Sequence, residues 1–126
     1  MENKIKSFED LFIWQESLQL CFDIYDSLSG CKEFSLRDQI QKSSVSVPSK
    51  IAEGFERETD KEFIRFLYFA RGSSGELRTQ LYIAKHLKII DEETCLSFID
   101  KTKRNASMIY NLIKVKKGKL KNGEVL

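Results

Sequence analysis

Histidine, proline and tryptophan occur once each in this sequence of 126 residues, and there are six glycines and three cysteines. Each scarcity excludes something. A single histidine rules out a ferritin-like di-iron site, which needs a Glu-x-x-His pair on each of two helices. His86 has Tyr82 and Ile83, not Glu, four and three positions before it, and it reads as a partly exposed residue near a helix end. Cys21, Cys31 and Cys95 are odd in number and match neither a C-x-x-C clip nor a zinc spacing, so they are expected as free thiols. No window approaches the ~18 apolar residues needed to cross a bilayer. The N-terminal segment carries Glu2, Glu9 and Asp10 and lacks the unbroken apolar stretch of a secretory signal. A cytoplasmic protein without membrane contact is expected. Net charge is also scarce, at +2. A uniformly basic nucleic-acid protein is therefore excluded, and with 41% hydrophobic residues and nine Phe a disordered chain is too.

What remains is a chain with few breakers, and its apolar residues recur with a helical period. The pattern predicts one domain over residues 1–126. Its fold is all-α, an antiparallel up-down-up-down four-helix bundle with helices over about 8–29, 35–57, 60–87 and 92–117. The first helix is announced by a capping-box variant, Ser7 with Asp10, and stopped by Gly30. Leu11, Trp14, Leu18, Cys21, Phe22, Tyr25 and Leu28 form its expected core stripe. Ile13, Leu20 and Ile24 form a second stripe beside it; together the two are wider than the ~100° a monomer needs, and the second is expected to meet another subunit. The second helix starts at Ser35 and carries Leu36, Ile40, Val47, Ile51 and Phe55 inward. Pro48 lies inside it, which predicts a kink or two shorter pieces, with Ser44 and Ser46 available for the freed carbonyls.

Thr59 and Glu62 read as a capping box for the third helix. Its inward stripe runs Phe63, Phe66, Leu67, Ala70, Ser73, Ser74, Leu77, Leu81 and Ala84. Gly72 and Gly75 cost ~1 kcal/mol each in a helix, so they predict a tight helix crossing. A phosphate-cradling loop is a poor fit, because no strand precedes them. Asp91 caps the fourth helix, with Glu92 and Glu93 favourable in its first turn. Cys95, Phe98, Ile99, Thr102, Ala106, Ile109 and Ile113 face inward, Gly118 ends the helix, and Lys119 to Leu126 form a fraying tail.

Charge is distributed unevenly. Residues 101–121 hold eight basic residues and no acid: Lys101, Lys103, Arg104, Lys114, Lys116, Lys117, Lys119 and Lys121. The other 105 residues carry 13 basic and 19 acidic groups, a net of −6. Clustered lysines form an electrostatic footprint for nucleic-acid phosphates. Equally, lysines in the last turns of a helix can be a solvated face favoured by the helix dipole. Arg57, Arg65, Arg71 and Arg78 are secondary candidates. No catalytic residues, metal or cofactor are expected, since the acids fall in first turns or opposite the apolar stripes.

Several blocks together carry a family resemblance. They are Trp14, Tyr25, Phe34-x-Leu36-x-x-Gln39-Ile40, Ser46-Val47-Pro48-Ser49-x-Ile51-Ala52-Glu53-Gly54, Lys61-Glu62-Phe63-x-x-Phe66-Leu67 and Ala70-x-Gly72-Ser73-x-x-Glu76-Leu77. Over about residues 8–113 the chain resembles the four-helix proteins encoded in intervening sequences of 23S rRNA genes. It is also similar to accessory variability proteins of diversity-generating retroelements. The resemblance implies an antiparallel protomer assembling into a homopentamer, with no catalytic residues. It also implies nucleic acid, or a protein such as a reverse transcriptase, as partner. Lys50 and Lys88 stand where the family pattern leads one to expect Asn and Gly. The expected function is a non-enzymatic oligomer that binds structured RNA or DNA through phosphate contacts. The alternative is an oligomeric adaptor that recruits a protein partner.

Overall fold

Two helix starts are held by the side chains that their sequences nominate. The Thr59 hydroxyl accepts from the Glu62 N–H at 3.2 Å, although the Glu62 carboxylate turns to Arg65 instead of closing the box. The Asp91 carboxylate accepts from the Thr94 N–H at 3.0 Å and its hydroxyl at 2.7 Å. These two bonds hold the Asp91 carboxyl below the usual carboxylate range, the backbone bond contributing most. The stabilisation from this cap is therefore present at neutral pH and is lost as pH falls through the lowered value.

The computed structural model describes residues 4–121. A one-turn 3-10 helix, Phe8–Asp10, precedes α1 (Phe12–Ser27), α2 (Phe34–Phe55), α3 (Asp60–His86) and α4 (Glu92–Lys121). The Asp10 carboxylate does accept from the Ser7 N–H at 3.2 Å, but the turn it closes is the 3-10 one. Leu11 is extended (φ −77°, ψ 123°), so α1 begins at Phe12, later than expected. Gly30 takes the left-handed conformation at φ 80° and turns the chain out of α1. The second helix begins at Phe34, leaving Ser35 within its first turn rather than at the cap. It runs unbroken through Pro48, so the expected division into two pieces does not occur. The Ser44 hydroxyl donates to the Gln41 carbonyl at 2.8 Å, and Ser46 lies 2.8 Å from the Ser73 hydroxyl, so the two serines serve other partners than the proline gap. Gly118 does not end α4, which continues to Lys121. The remainder of the expected tail, 122–126, lies outside the described residues.

α1 packs on α2 and α4, and α3 packs on the same two helices, so α1/α2 and α3/α4 form opposite faces of a square bundle. Two apolar clusters fill it. Leu20, Ile24, Ile40, Leu77, Leu81 and Ile99 belong to one, and Ile13, Val47, Ile51, Leu67, Ile109 and Ile113 to the other. Each helix thus passes from one cluster to the next in alternating sense, the antiparallel order. Between the clusters lie buried polar residues from all four helices, Ser17, Ser43, Ser44, Ser74, Thr102 and Asn105. Ser74 donates to the Thr102 carbonyl at 3.2 Å.

Two expectations about side-chain placement are reversed. Ile13, Leu20 and Ile24, assigned above to a subunit interface, are 7%, 4% and 0% exposed and form the α1 contribution to the protomer core. Of the stripe expected to face inward, Cys21 and Leu28 are buried, whereas Phe22 and Tyr25 reach solvent. Both stripes are apolar, and Ser17 between Ile13 and Leu20 disguised the one that is buried. The second reversal concerns glycine. A Cβ on Gly72 or Gly75 would meet nothing within 4 Å, whereas one on Gly54 would lie 2.5 Å from the Phe66 Cβ. The close crossing is made by Gly54 of α2 against α3.

The third helix ends in a Schellman turn: the Ile89 N–H donates to the Ala84 carbonyl at 3.0 Å and the Lys88 N–H to the Lys85 carbonyl at 3.1 Å. Lys88 sits at the left-handed position, φ 59°, where a Cβ costs roughly 1 kcal/mol. Thermal unfolding should separate these sites. Gly54→Ala is expected to lose about 1–3 kcal/mol by overpacking. Gly72→Ala should gain about 0.5–1 kcal/mol by helix propensity, and Lys88→Gly should gain up to ~1 kcal/mol by relieving strain. A Gly54→Ala melting temperature equal to wild type would contradict the crossing.

Candidate nucleic-acid interface

Helical spacing sorts the basic segment of α4 into faces. Lys103, Tyr110, Lys114, Lys117 and Lys121 recur at intervals of seven, four, three and four, so they share one side of the helix. From α3, Tyr68, Arg71 and Arg78 border the same side. Gly72, Gly75 and Ala106 line an open groove of ≈ 290 Å³ between them. Here the glycines leave a floor without side chains, a different role from the helix crossing expected of them.

Three cations on this face, Arg71, Lys114 and Lys117, are supported by aromatic side chains. The Arg71 guanidinium lies 4.6 Å from the centre of the Tyr110 ring, and the Lys114 ammonium 5.4 Å from it. Lys117 donates to the Tyr68 hydroxyl at 2.7 Å. Among the described residues, Arg71, Arg78, Lys103, Lys114 and Lys117 form no ion pair. Acids are nearly absent as well. From Arg65 to His86 the only acid is Glu76, which turns to α2 and accepts from the Ser43 hydroxyl at 3.1 Å. An uncompensated row of charge at a shallow groove concentrates anions.

The remaining expected cations lie elsewhere. Lys101 pairs with Asp23 of α1 at 3.9 Å, and Lys116 with Asp60 at the start of α3 at 3.7 Å. Arg104 lines the α1/α4 seam beside Glu16 and Asp23. Lys119 follows Lys101 by five helical turns and so leaves the same side of α4 as it does. Of the α3 arginines, Arg65 pairs with Glu62 and stacks 5.2 Å from the Phe69 ring centre, and Arg57 at the end of α2 stacks 4.6 Å from that of Phe66. The structure therefore unites Lys103, Lys114, Lys117 and Lys121 with Arg71 and Arg78, and disperses the rest. Sequence reasoning missed Tyr68 and Tyr110. The i, i+4 spacing of Tyr110 and Lys114 was the available signal.

The opposite face differs in chemistry. Trp14, Leu18, Phe22 and Tyr25 of α1, with Val45, Pro48 and Ala52 of α2, line an apolar groove of ≈ 460 Å³. Cys21 and Cys95 are buried, Cys31 is partly buried, and all three are free thiols. Burial pushes the Cys95 thiol up. No cluster of three or more His, Cys, Asp or Glu able to hold a metal ion occurs among the described residues. None of their helices is long and apolar enough to cross a membrane.

The family model described as "23S rRNA-intervening sequence protein" matches residues 9–111. A crystal structure of a protein of unknown function from Bacteroides thetaiotaomicron, described as belonging to the S23 ribosomal protein family, has the same fold. The TM-score is 0.77 at 22% identity, over 81% of this chain and 98% of that one. No curated protein matches the chain.

The division of cations predicts distinct effects on stability. Lys116 and Asp60 are 21% and 14% exposed at their side chains, and Asp60 Oδ2 has no hydrogen-bond partner. Lys116→Ala should leave that carboxylate uncompensated and lose about 1–3 kcal/mol in denaturant unfolding. Lys114→Ala, on the open face, should stay within ~0.5 kcal/mol of wild type. Equal losses at both positions would contradict the division.

Proposed function

Because the chain belongs to the family of 23S rRNA-intervening sequence proteins, we propose that it is a non-enzymatic homo-oligomer that binds structured RNA or DNA through phosphate contacts. One observation carries this reading. The α3/α4 face holds six cations and two tyrosines around an open groove, while the one acid in the middle of α3 is turned away. Fixed cations without paired acids release counterions from nucleic acid on binding, which makes affinity strongly salt-dependent.

Self-association is proposed to use the apolar groove of α1/α2, since Ile13, Leu20 and Ile24 are committed to the core. Five subunits are expected from the resemblance. A ring of that kind requires the groove to meet a different surface of the next copy, because a contact of groove with groove closes at two subunits. A second reading draws on the same groove: an adaptor that seats an apolar helix of a protein partner such as a reverse transcriptase. Gene neighbourhood distinguishes them. An adjacent reverse-transcriptase gene supports the adaptor, and a position within a ribosomal RNA gene supports RNA association.

Binding to ribosomal RNA fragments, followed by fluorescence anisotropy, should be strong at low salt and fall with a log–log slope of about −0.7 to −0.9 per phosphate neutralised. The fourfold reversal Arg71→Glu, Arg78→Glu, Lys114→Glu and Lys117→Glu should reduce affinity by at least ~100-fold, whereas Lys101→Ala should change it less than about twofold. Failure of the wild type to bind at ~50 mM salt sinks the proposal. Light scattering should show an oligomer that Phe22→Glu converts to monomer; a wild-type monomer at micromolar concentration contradicts the self-association.

A further inference from the structure

The tyrosines on the α3/α4 face bear on which form of nucleic acid it takes. Proteins that bind single strands without sequence preference combine a basic groove with open aromatic faces on which successive bases stack. Here the Tyr110 ring already carries Arg71 at 4.6 Å and Lys114 at 5.4 Å. The Tyr68 hydroxyl is held by Lys117 at 2.7 Å. Both rings serve as supports that fix long, flexible cations in place. A base seeking the Tyr110 face would have to displace the charges that attract its own phosphate.

The cations themselves form two rows. One, on α4, runs from Lys103 to Lys121, ~27 Å at the rise of an α-helix. The other, on α3, is Arg71 and Arg78, on a helix whose axis lies ~8–10 Å from that of α4; the rows touch where Arg71 reaches the Tyr110 ring and Lys117 the Tyr68 hydroxyl. Between the rows the floor of Gly72, Gly75 and Ala106 is open, with no side chain larger than a methyl group to obstruct an approaching strand. A double helix offers two rigid rows of phosphates flanking a groove. A single strand offers one flexible row, and ordering it costs conformational entropy that stacking would ordinarily offset.

Resting on the nucleic-acid reading above, we infer that the ligand of this face is double-helical nucleic acid held through both phosphate rows. Tyr110 and Tyr68 are positioning residues for Arg71, Lys114 and Lys117, not platforms for bases. Tyr82 supplies an internal control. It lies one turn beyond Arg78, is 48% exposed, and carries no cation among the described residues. Base stacking, if it occurred here, would use this ring.

The test compares a duplex of roughly 20 base pairs, longer than the ~8 that a ~27 Å row covers, with its separated strands, using the full chain across a salt series. The duplex should bind at least ~10-fold more tightly, with a log–log salt slope near −5 for five to six contacts. Tyr110→Leu should weaken the duplex and make its slope shallower by about two, because two cations lose their support, while Tyr110→Phe should restore both affinity and slope. Tyr82→Leu should change neither ligand. Should Tyr110→Leu fail to fold, the pair Arg71→Gln and Lys114→Gln should give the same change of slope. Single strands binding as tightly as duplex overturn the inference, as does a Tyr110→Leu loss with unchanged slope, or a loss of single-strand binding in Tyr82→Leu. Absence of binding to either ligand at low salt overturns the nucleic-acid reading itself.

Discussion

The seam between α2 and α3 constrains the rest of the molecule. At one end Gly54 lets the α2 backbone come within contact of Phe63 and Phe66, closer than any side chain would allow. Farther along, Ser46 meets Ser73 at 2.8 Å and Ser43 donates to Glu76 at 3.1 Å. The first of these bonds joins the Ser46–Gly54 block of the family pattern to the Ala70–Leu77 block, so both blocks describe one packing surface. The seam also has an electrostatic consequence on the other side of α3. By committing Glu76 to α2, it leaves Arg71 and Arg78 without an ion pair among the described residues.

The register of the bundle depends on a second constraint, the buried polar layer between the apolar clusters. Burying hydroxyl and amide groups is unfavourable unless their bonds are made. Ser17, Ser44 and Thr102 bond to backbone carbonyls three residues earlier in their own helices, and Ser74 reaches across to α4. Sliding one helix by a turn would leave the bonds within helices intact but break the ones between them, Ser74 to Thr102, Ser43 to Glu76 and Ser46 to Ser73. The layer therefore favours one axial alignment over its neighbours, in the way that buried polar groups fix register in coiled coils.

Much of this was legible in the sequence because it depends on local chemistry. Four helices, the Thr59 and Asp91 caps and the left-handed Gly30 follow from residues within a few positions of each other. The boundary of α1 was misplaced because a capping signal does not distinguish a 3-10 turn from an α-helix. The core face of α1 was misassigned because both of its stripes are apolar, and only the neighbours decide between Ile13, Leu20, Ile24 and Trp14, Phe22, Tyr25. The glycines failed for a related reason. Local cost marks Gly72 and Gly75 as anomalous, but closeness of approach is a property of two helices and was found at Gly54. In the basic segment, a count along the chain merged lysines that point to Asp23 and Asp60 with lysines that face solvent.

A net charge of +2 conceals two surfaces of opposite character. From Ser7 to Cys31 the chain has five acids, Glu9, Asp10, Glu16, Asp23 and Asp26, and no Lys or Arg. That segment contributes the aromatic wall of the groove on the α1/α2 face, while Arg71, Arg78, Lys103, Lys114 and Lys117, which form no ion pair among the described residues, lie on the α3/α4 face. Phosphates are attracted to the second and meet no charged side chain lining the groove of the first, so nucleic acid and an apolar partner need not compete for one surface. Proximity to α1 also neutralises Lys101 through Asp23, away from the groove side of α4. On the proposed reading, each copy in an assembly held through its α1/α2 groove can keep its own cationic face open. A multiplied face binds more tightly than one protomer's share because, after the first contact, each further contact is made at the high effective concentration set by the assembly.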